Sequence, residues 1–124
     1  MDTLAEAEEI VMRVRHADGR WSARPIWVVV IDGVAYVRSA FGHRSGWYRR
    51  VLAGAETEVE LDGSAAPVRP VPVDEPALVE RVSGGYRAKY GLSWPGPVQT
   101  ITAPEAAGTT MRLAEGGLSA ACAR

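Results

Sequence analysis

At 124 residues, 47% hydrophobic and 23% charged, the chain has the length for one core and the apolar content to bury it, which excludes a disordered protein and two full-sized domains. A net charge of −1 supplies no overall field toward nucleic acid or an anionic membrane, so neither is expected as a partner. The single cysteine, Cys122, excludes an internal disulfide framework and a cysteine-based cluster, and no metal site is expected.

Residues 1–9 are acidic and unlike a signal peptide, and no apolar run approaches the roughly 20 residues that span a bilayer; a reducing, cytoplasmic setting is expected. Ile10, Met12 and Val14 alternate with Val11, Arg13 and Arg15, the period of a strand with one wet face. Asp18-Gly19, Asp32-Gly33 and Asp62-Gly63 each predict a tight type I′ hairpin, because both central residues of that turn need positive φ. Residues 26–31, IWVVVI, are β-branched and apolar on both faces, which predicts a central strand buried on both sides. In the following strand, residues 34–39, Tyr36 and Arg38 share one face and Ala35 and Val37 the other, so the Arg38 face opens toward something polar.

Ser45 is a candidate cap for a helix over about 46–53, with Gly54 ending it. Residues 58–61 and 67–73 predict a third hairpin whose second strand is confined by Pro67, Pro70 and Pro72 to an edge or a bulge. Residues 75–90 predict a second helix, weakened in its middle by Ser83-Gly84-Gly85. Strands over 98–102 and 109–113 follow, and the Gly- and Ala-rich residues 114–124 predict a flexible tail behind a single domain over 1–113. With a short helix at the start, the expected architecture is mainly β (α+β): an antiparallel barrel of six to seven strands with two or three flanking helices.

The densest chemistry lies in residues 38–50, RSAFGHRSGWYRR, where Arg38, Arg44, Arg49, Arg50 and His43 surround a strand-to-helix connection. A helix start behind such a loop offers unpaired N–H groups to a phosphate or carboxylate. Arg38 and Arg24 are the candidate anion contacts, and Trp21, Trp27, Trp47 and Trp94 can wall a pocket for a flat ligand or form an oligomer interface. The segment YRAKYG, with Tyr86, Arg87, Lys89 and Tyr90, is placed to close that pocket from a second helix. His43 is the one loop side chain able to trade protons near neutral pH. No nucleophile elbow, dinucleotide fingerprint or phosphate loop is present.

Four segments taken together, ARPIWVVVIDGVAYVRS (23–39), SGWYRR (45–50), YRAKYG (86–91) and TTMRL (109–113), resemble a family of small uncharacterised bacterial proteins. That family looks like a branch of the FMN-binding split-barrel superfamily, which includes pyridoxamine-phosphate oxidase-like proteins and deazaflavin-dependent nitroreductases. The resemblance implies a split barrel, a homodimer, and a small-molecule ligand in a groove, with FMN or deazaflavin as cofactor. By position it points to Ser45, Trp47 and Tyr48 beside a deazaflavin, and to Arg38 and Ser39 as phosphate contacts of a flavin. The full set of expected ligand contacts is Arg24, Trp27, Arg38, Ser39, Arg44, Ser45, Trp47, Tyr48 and Lys89, with His43 and Tyr86 as catalytic candidates. Two segments depart from the family pattern: Val82-Ser83-Gly84-Gly85 replaces a regular helical stretch, and Ala114-Glu115-Gly116 replaces a terminal Pro-Arg pair. Three functions fit: a flavin- or deazaflavin-dependent oxidoreductase, a cofactor-independent enzyme using the same pocket for a small metabolite, and a non-catalytic binding or dimerisation module.

Overall fold

The alternating first segment forms β1 (Ile10–Arg15), paired antiparallel with β2 (Trp21–Ile26), in a computed structural model that describes residues 7–115. Ile10, Met12 and Val14 are buried, so the period of two in the sequence is one core-facing side. The strands β3 (Val29–Ile31), β4 (Val34–Val37), β5 (Thr57–Leu61), β6 (Ser64–Pro72) and β7 (Met111–Glu115) complete a seven-stranded antiparallel sheet in the order β2-β1-β5-β6-β7-β4-β3. The sheet curls into a split barrel, as expected. The short helix expected ahead of β1 falls chiefly on residues outside those described, as does the tail beyond residue 115. Ala114 and Glu115 belong to β7, paired with Arg69 and Val68.

Two of the three Asp-Gly pairs make the expected turn: Asp32 and Gly33 have φ of 52° and 80°, and Asp62 and Gly63 have 54° and 82°. The first does not. There His16 donates to the Arg20 carbonyl at 2.7 Å across a three-residue loop, and only Gly19 is left-handed, at φ 93°. The Asp18 carboxylate instead accepts from the Arg20 N–H at 3.0 Å and from its Nε at 2.7 Å, which holds its pKa below the ordinary aspartate value.

The run 26–31 is not one central strand. It ends β2 at Ile26, breaks at Trp27-Val28, and resumes as β3 at the opposite edge of the sheet. At the break, side chains replace a neighbouring strand: the Val28 N–H donates to Tyr90 Oη at 3.3 Å, and the Val28 carbonyl accepts from Lys89 Nζ at 2.8 Å. The run is apolar on both faces because Val28 packs into the barrel interior while Val29 packs beneath a helix. β6 is likewise an interior strand rather than an edge. Its prolines are tolerated because each half has one partner among the described residues, Pro67 facing β5 and Pro70 and Pro72 facing β7.

Helix α1 (Gly46–Leu52) ends as expected at Gly54, φ 96°, with Gly54 donating to Val51 and Ala55 to Arg50, a Schellman closure. Helix α2 (Pro76–Tyr90) runs unbroken through Ser83-Gly84-Gly85. A Cβ on Gly85 would stand 2.5 Å from Val29 Cγ1, so the glycine that weakens the helix intrinsically is what lets it lie on β3. Residues 98–102 form a helix rather than a strand. Pro95 starts α3 (Pro95–Thr102), and the buried Val98 and Ile101 sit three apart on one helical face instead of alternating. A last short helix, α4 (Pro104–Ala107), leads into β7.

Two apolar clusters result. One fills the barrel with Ile10, Met12, Val28, Val37, Trp47, Tyr48 and Met111; the other joins the outer face of β3 and β4 to α2 and α3 through Tyr36, Val82, Tyr86, Tyr90 and Ile101. Tyr90 ties them, its hydroxyl bonding the Glu8 carbonyl at 2.8 Å ahead of β1 and Val28 between β2 and β3.

Two predictions follow from this packing. Gly85→Ala is expected to lower stability by about 1–3 kcal/mol through overpacking against Val29, whereas Gly84→Ala, with open space around its Cβ, is expected to raise it by about 0.5–1 kcal/mol, both read by urea unfolding. Tyr90→Phe, which keeps the ring, is expected to cost about 1–3 kcal/mol by orphaning the buried Val28 N–H, while the Val28 carbonyl keeps its bond from Lys89. Burial pushes the Tyr90 pKa up to about 12, so its neutral hydroxyl contributes fully below about pH 10 and that contribution fades as pH rises toward 12. The gap between wild type and Tyr90→Phe should therefore narrow over that window; a gap constant to pH 12 would contradict the assignment.

Candidate ligand-binding cleft

A cleft of about 530 Å³ opens where the barrel is split, within the ~300–1,000 Å³ usual for small-molecule and cofactor sites. One wall is the end of β2 and the break after it, Arg24, Pro25, Ile26 and Trp27, with Glu9 beside them; the far wall is Pro97, Thr100 and Ile101 of α3. Arg38, Ala40 and Phe41, following β4, form the floor and lip, and Ser45 and Trp47 close it at the start of α1.

Arg38 is the central residue. The alternation in β4 sends Tyr36 and Arg38 toward the helices, as the sequence predicts, but the guanidinium is buried, with 1% exposure. Its Nε donates to Thr110 Oγ1 at 2.8 Å, Nη1 to the Ile101 carbonyl at 3.0 Å and Nη2 to the Val79 carbonyl at 2.8 Å, while its carbon lies 5.4 Å from the centre of the Tyr86 ring. The Ile101 carbonyl is one of the groups that the end of α3 leaves without a helical partner, so the cation also meets the favourable pole of that helix. Burial lowers the Arg38 pKa from its ordinary value, and arginine remains charged at neutral pH. No carboxylate lies within ion-pair distance of it among the described residues.

Trp27 is fixed by a parallel stack on Tyr90, centroids 4.0 Å apart and planes within 1°, and by Trp94 tilted against it at 5.9 Å. Phe41, 66% exposed, stands at the lip, whereas Trp47 is buried and presents only part of its ring. Ser45 occupies the cap position of α1, yet its hydroxyl makes no capping bond. That helix is only seven residues long, so the anion contacts available here are side chains rather than a helix pole.

Of the residues singled out from the sequence, the fold gathers Arg24, Trp27, Arg38, Ser45 and Trp47 around the cleft. Ser39 lies behind it, donating from Oγ to the Gly42 carbonyl at 2.8 Å and from its N–H to Thr109 Oγ1 at 2.9 Å. Tyr48 belongs to the barrel core, and His43 packs edge-on against it at 5.5 Å. Arg44, on the short 3-10 turn Gly42–Arg44, meets Glu105 at 3.6 Å, both side chains largely in solvent. Lys89 binds the Val28 carbonyl. Tyr86 is fully buried beneath Arg38 with its hydroxyl unpartnered among the described residues, and burial raises its pKa far above the ordinary tyrosine value. Sequence reasoning passed over Glu9, Phe41 and the α3 wall. The strand read over residues 98–102 hid that wall, since only a helical period brings Pro97, Thr100 and Ile101 to one side.

Comparison with solved structures supports the fold. The chain matches the protein Atu2129 (unknown function) from Agrobacterium tumefaciens with a TM-score of 0.73 at 16% identity, covering 93% of this chain and 51% of that one. It therefore spans about half the length of that protein. It matches HutZ, the heme storage protein from Vibrio cholerae, at 0.67 and 13% identity over 94% and 87% of the two chains. It matches an F420 reductase at 0.59 and 15% identity over 94% and 92%. A search of curated proteins finds no match. No helix among the described residues is long and apolar enough to cross a membrane. The split barrel is thus shown by both geometry and likeness, and a family model matches residues 1–113: the chain belongs to DUF2255, a family of uncharacterised proteins conserved in bacteria.

Proposed function

We propose that the chain is a flavin- or deazaflavin-binding oxidoreductase of small molecules, working as a homodimer in the cytoplasm. One observation carries the reading: a buried guanidinium, Arg38, with no carboxylate within ion-pair distance among the described residues and Glu80 acting on it only from farther away, at the floor of a cleft walled by Trp27, Phe41 and Trp47. A buried charge calls for a counter-charge, and its three protein bonds leave one N–H on each terminal nitrogen. A planar ring carrying an anionic tail meets both demands. Arg24 and the unbonded Ser45 hydroxyl supply further contacts for such a tail.

When bound, such a cofactor supplies hydride transfer, and the protein holds and orients it. Two observations favour this over the other readings. Among the described residues no histidine, cysteine, methionine or tyrosine lines the cleft, so none of them offers a haem iron a nitrogen, sulfur or phenolate ligand there. The proton-transfer candidates also lie elsewhere, since His43 is outside the lining and the Tyr86 hydroxyl is held neutral beneath the floor. Among the described residues lining the cleft, the Glu9 carboxylate is then left without a histidine or tyrosine to complete an acid–base pair. The exposed Phe41, Leu92 and Trp94, together with the edges of β2 and β3 that no described strand covers, support pairing with a second copy.

Native mass spectrometry of the purified protein is expected to show a dimer carrying the added mass of FMN or a deazaflavin. Titration with either cofactor should quench tryptophan fluorescence, with Arg24→Ala weakening affinity about three- to tenfold at unchanged Tm. A colourless protein whose fluorescence ignores both cofactors would overturn the reading.

A further inference from the structure

The cleft carries a charge that an anionic cofactor does not use. Glu9 lies on its rim, exposed, and no cation among the described residues is within ion-pair distance of it. Its position is nevertheless set on both sides. The preceding carbonyl, that of Glu8, accepts from Tyr90 Oη at 2.8 Å, and the following residue, Ile10, pairs with Ile26.

Continuing that register places Glu9 beside Trp27. Arg24, paired with Met12, stands three residues farther along the ribbon, about 10 Å away, and on its opposite face. The rim therefore presents the two signs of charge apart from each other rather than as an ion pair. Once a cofactor's anion is matched to Arg38 and Arg24, the remaining fixed charge among the described lining residues is the Glu9 carboxylate, on the residue that the register sets opposite Trp27.

We propose that Glu9 is a specificity residue, drawing to the mouth of the cleft an aromatic substrate that carries a protonated amine. This rests on the cofactor reading above, which assigns the two arginines to another molecule. The ring lies against the Trp27 wall and the ammonium meets the carboxylate. An otherwise similar acid is disfavoured by the same charge.

The test uses phenethylamine and phenylacetate, matched in ring and length and opposite in charge, added to the full-length protein saturated with FMN. Binding is read from the indole N–H signals of the tryptophans by NMR. Wild type is expected to favour the amine. Glu9→Gln should shift the ratio of the two affinities about two- to fivefold toward the acid, and Glu9→Lys should carry it further, with Tm unchanged in both. Raising salt to 1 M should shrink the wild-type preference. Equal affinity for the two probes, binding of neither, or a ratio that Glu9→Gln leaves untouched overturns the proposal. An amine preference that depends on Glu9 in protein unable to take up FMN or deazaflavin would support the role of Glu9 while removing the cofactor reading.

Discussion

Burying a guanidinium is costly, and Arg38 is buried where the end of a strand, two helices and the start of the last strand meet. Each of its three bonds reaches a different element: α2 through Val79, α3 through Ile101, and the Thr110 hydroxyl just ahead of β7. Charge-assisted bonds of this kind contribute about 1.5–3 kcal/mol each, and losing the donor would leave buried acceptors unsatisfied. The neighbouring hydroxyls continue the tie, Thr109 to the Ala106 carbonyl and Thr110 to the Ala107 carbonyl, which fixes α4 against the same strand end. The helical layer is thus registered on the sheet by polar contacts at one corner and by the apolar cluster around Tyr86 and Tyr90 elsewhere.

The second constraint is the split. β2 and β3 are consecutive in the chain yet stand at the two ends of the sheet, so the curled sheet returns on itself without a closing ladder. Tyr90 does locally what a ladder would have done, bonding Val28 and the segment before β1, and its ring backs Trp27. A cleft follows from this arrangement, because the seam is held by side chains, the Tyr90 hydroxyl and the Lys89 ammonium, rather than by backbone pairing along its length. The walls are then rigid where helices support them and open where Phe41 and the rim of β2 face solvent.

Much of the fold was legible because it depends on local periods. The alternation of β1, the Asp32-Gly33 and Asp62-Gly63 turns and the face shared by Tyr36 and Arg38 are all visible in sequence and all hold. The failures come from partners that are distant in sequence. Nothing local says that the N–H of Val28 is taken by Tyr90, so an unbroken central strand is the natural reading of IWVVVI. Likewise, β-branched Val98, Thr100, Ile101 and Thr102 carry strand propensity, and it is Pro95 at the helix start together with burial against α2 that makes them helical. Gly85 is a third case: as a break it weakens a helix, and as a close approach to Val29 it makes the helix fit.

The site divides along the same line. Residues in contiguous motifs, Arg38, Ser45 and Trp47, could be picked out together, whereas Glu9 and the α3 wall reach the cleft only through tertiary packing. This division bears on specificity. Arg38 is both strut and floor, so its freedom to change with the ligand is limited by the three elements it holds. Under the proposed function, an anion is the generic demand it makes. The rim residues Glu9, Arg24 and Phe41 are exposed, and none of them anchors another element among the described residues, so under the proposed function discrimination between ligands that share an anionic group falls to them. The same scaffold can then serve different small molecules while its buried corner stays as it is.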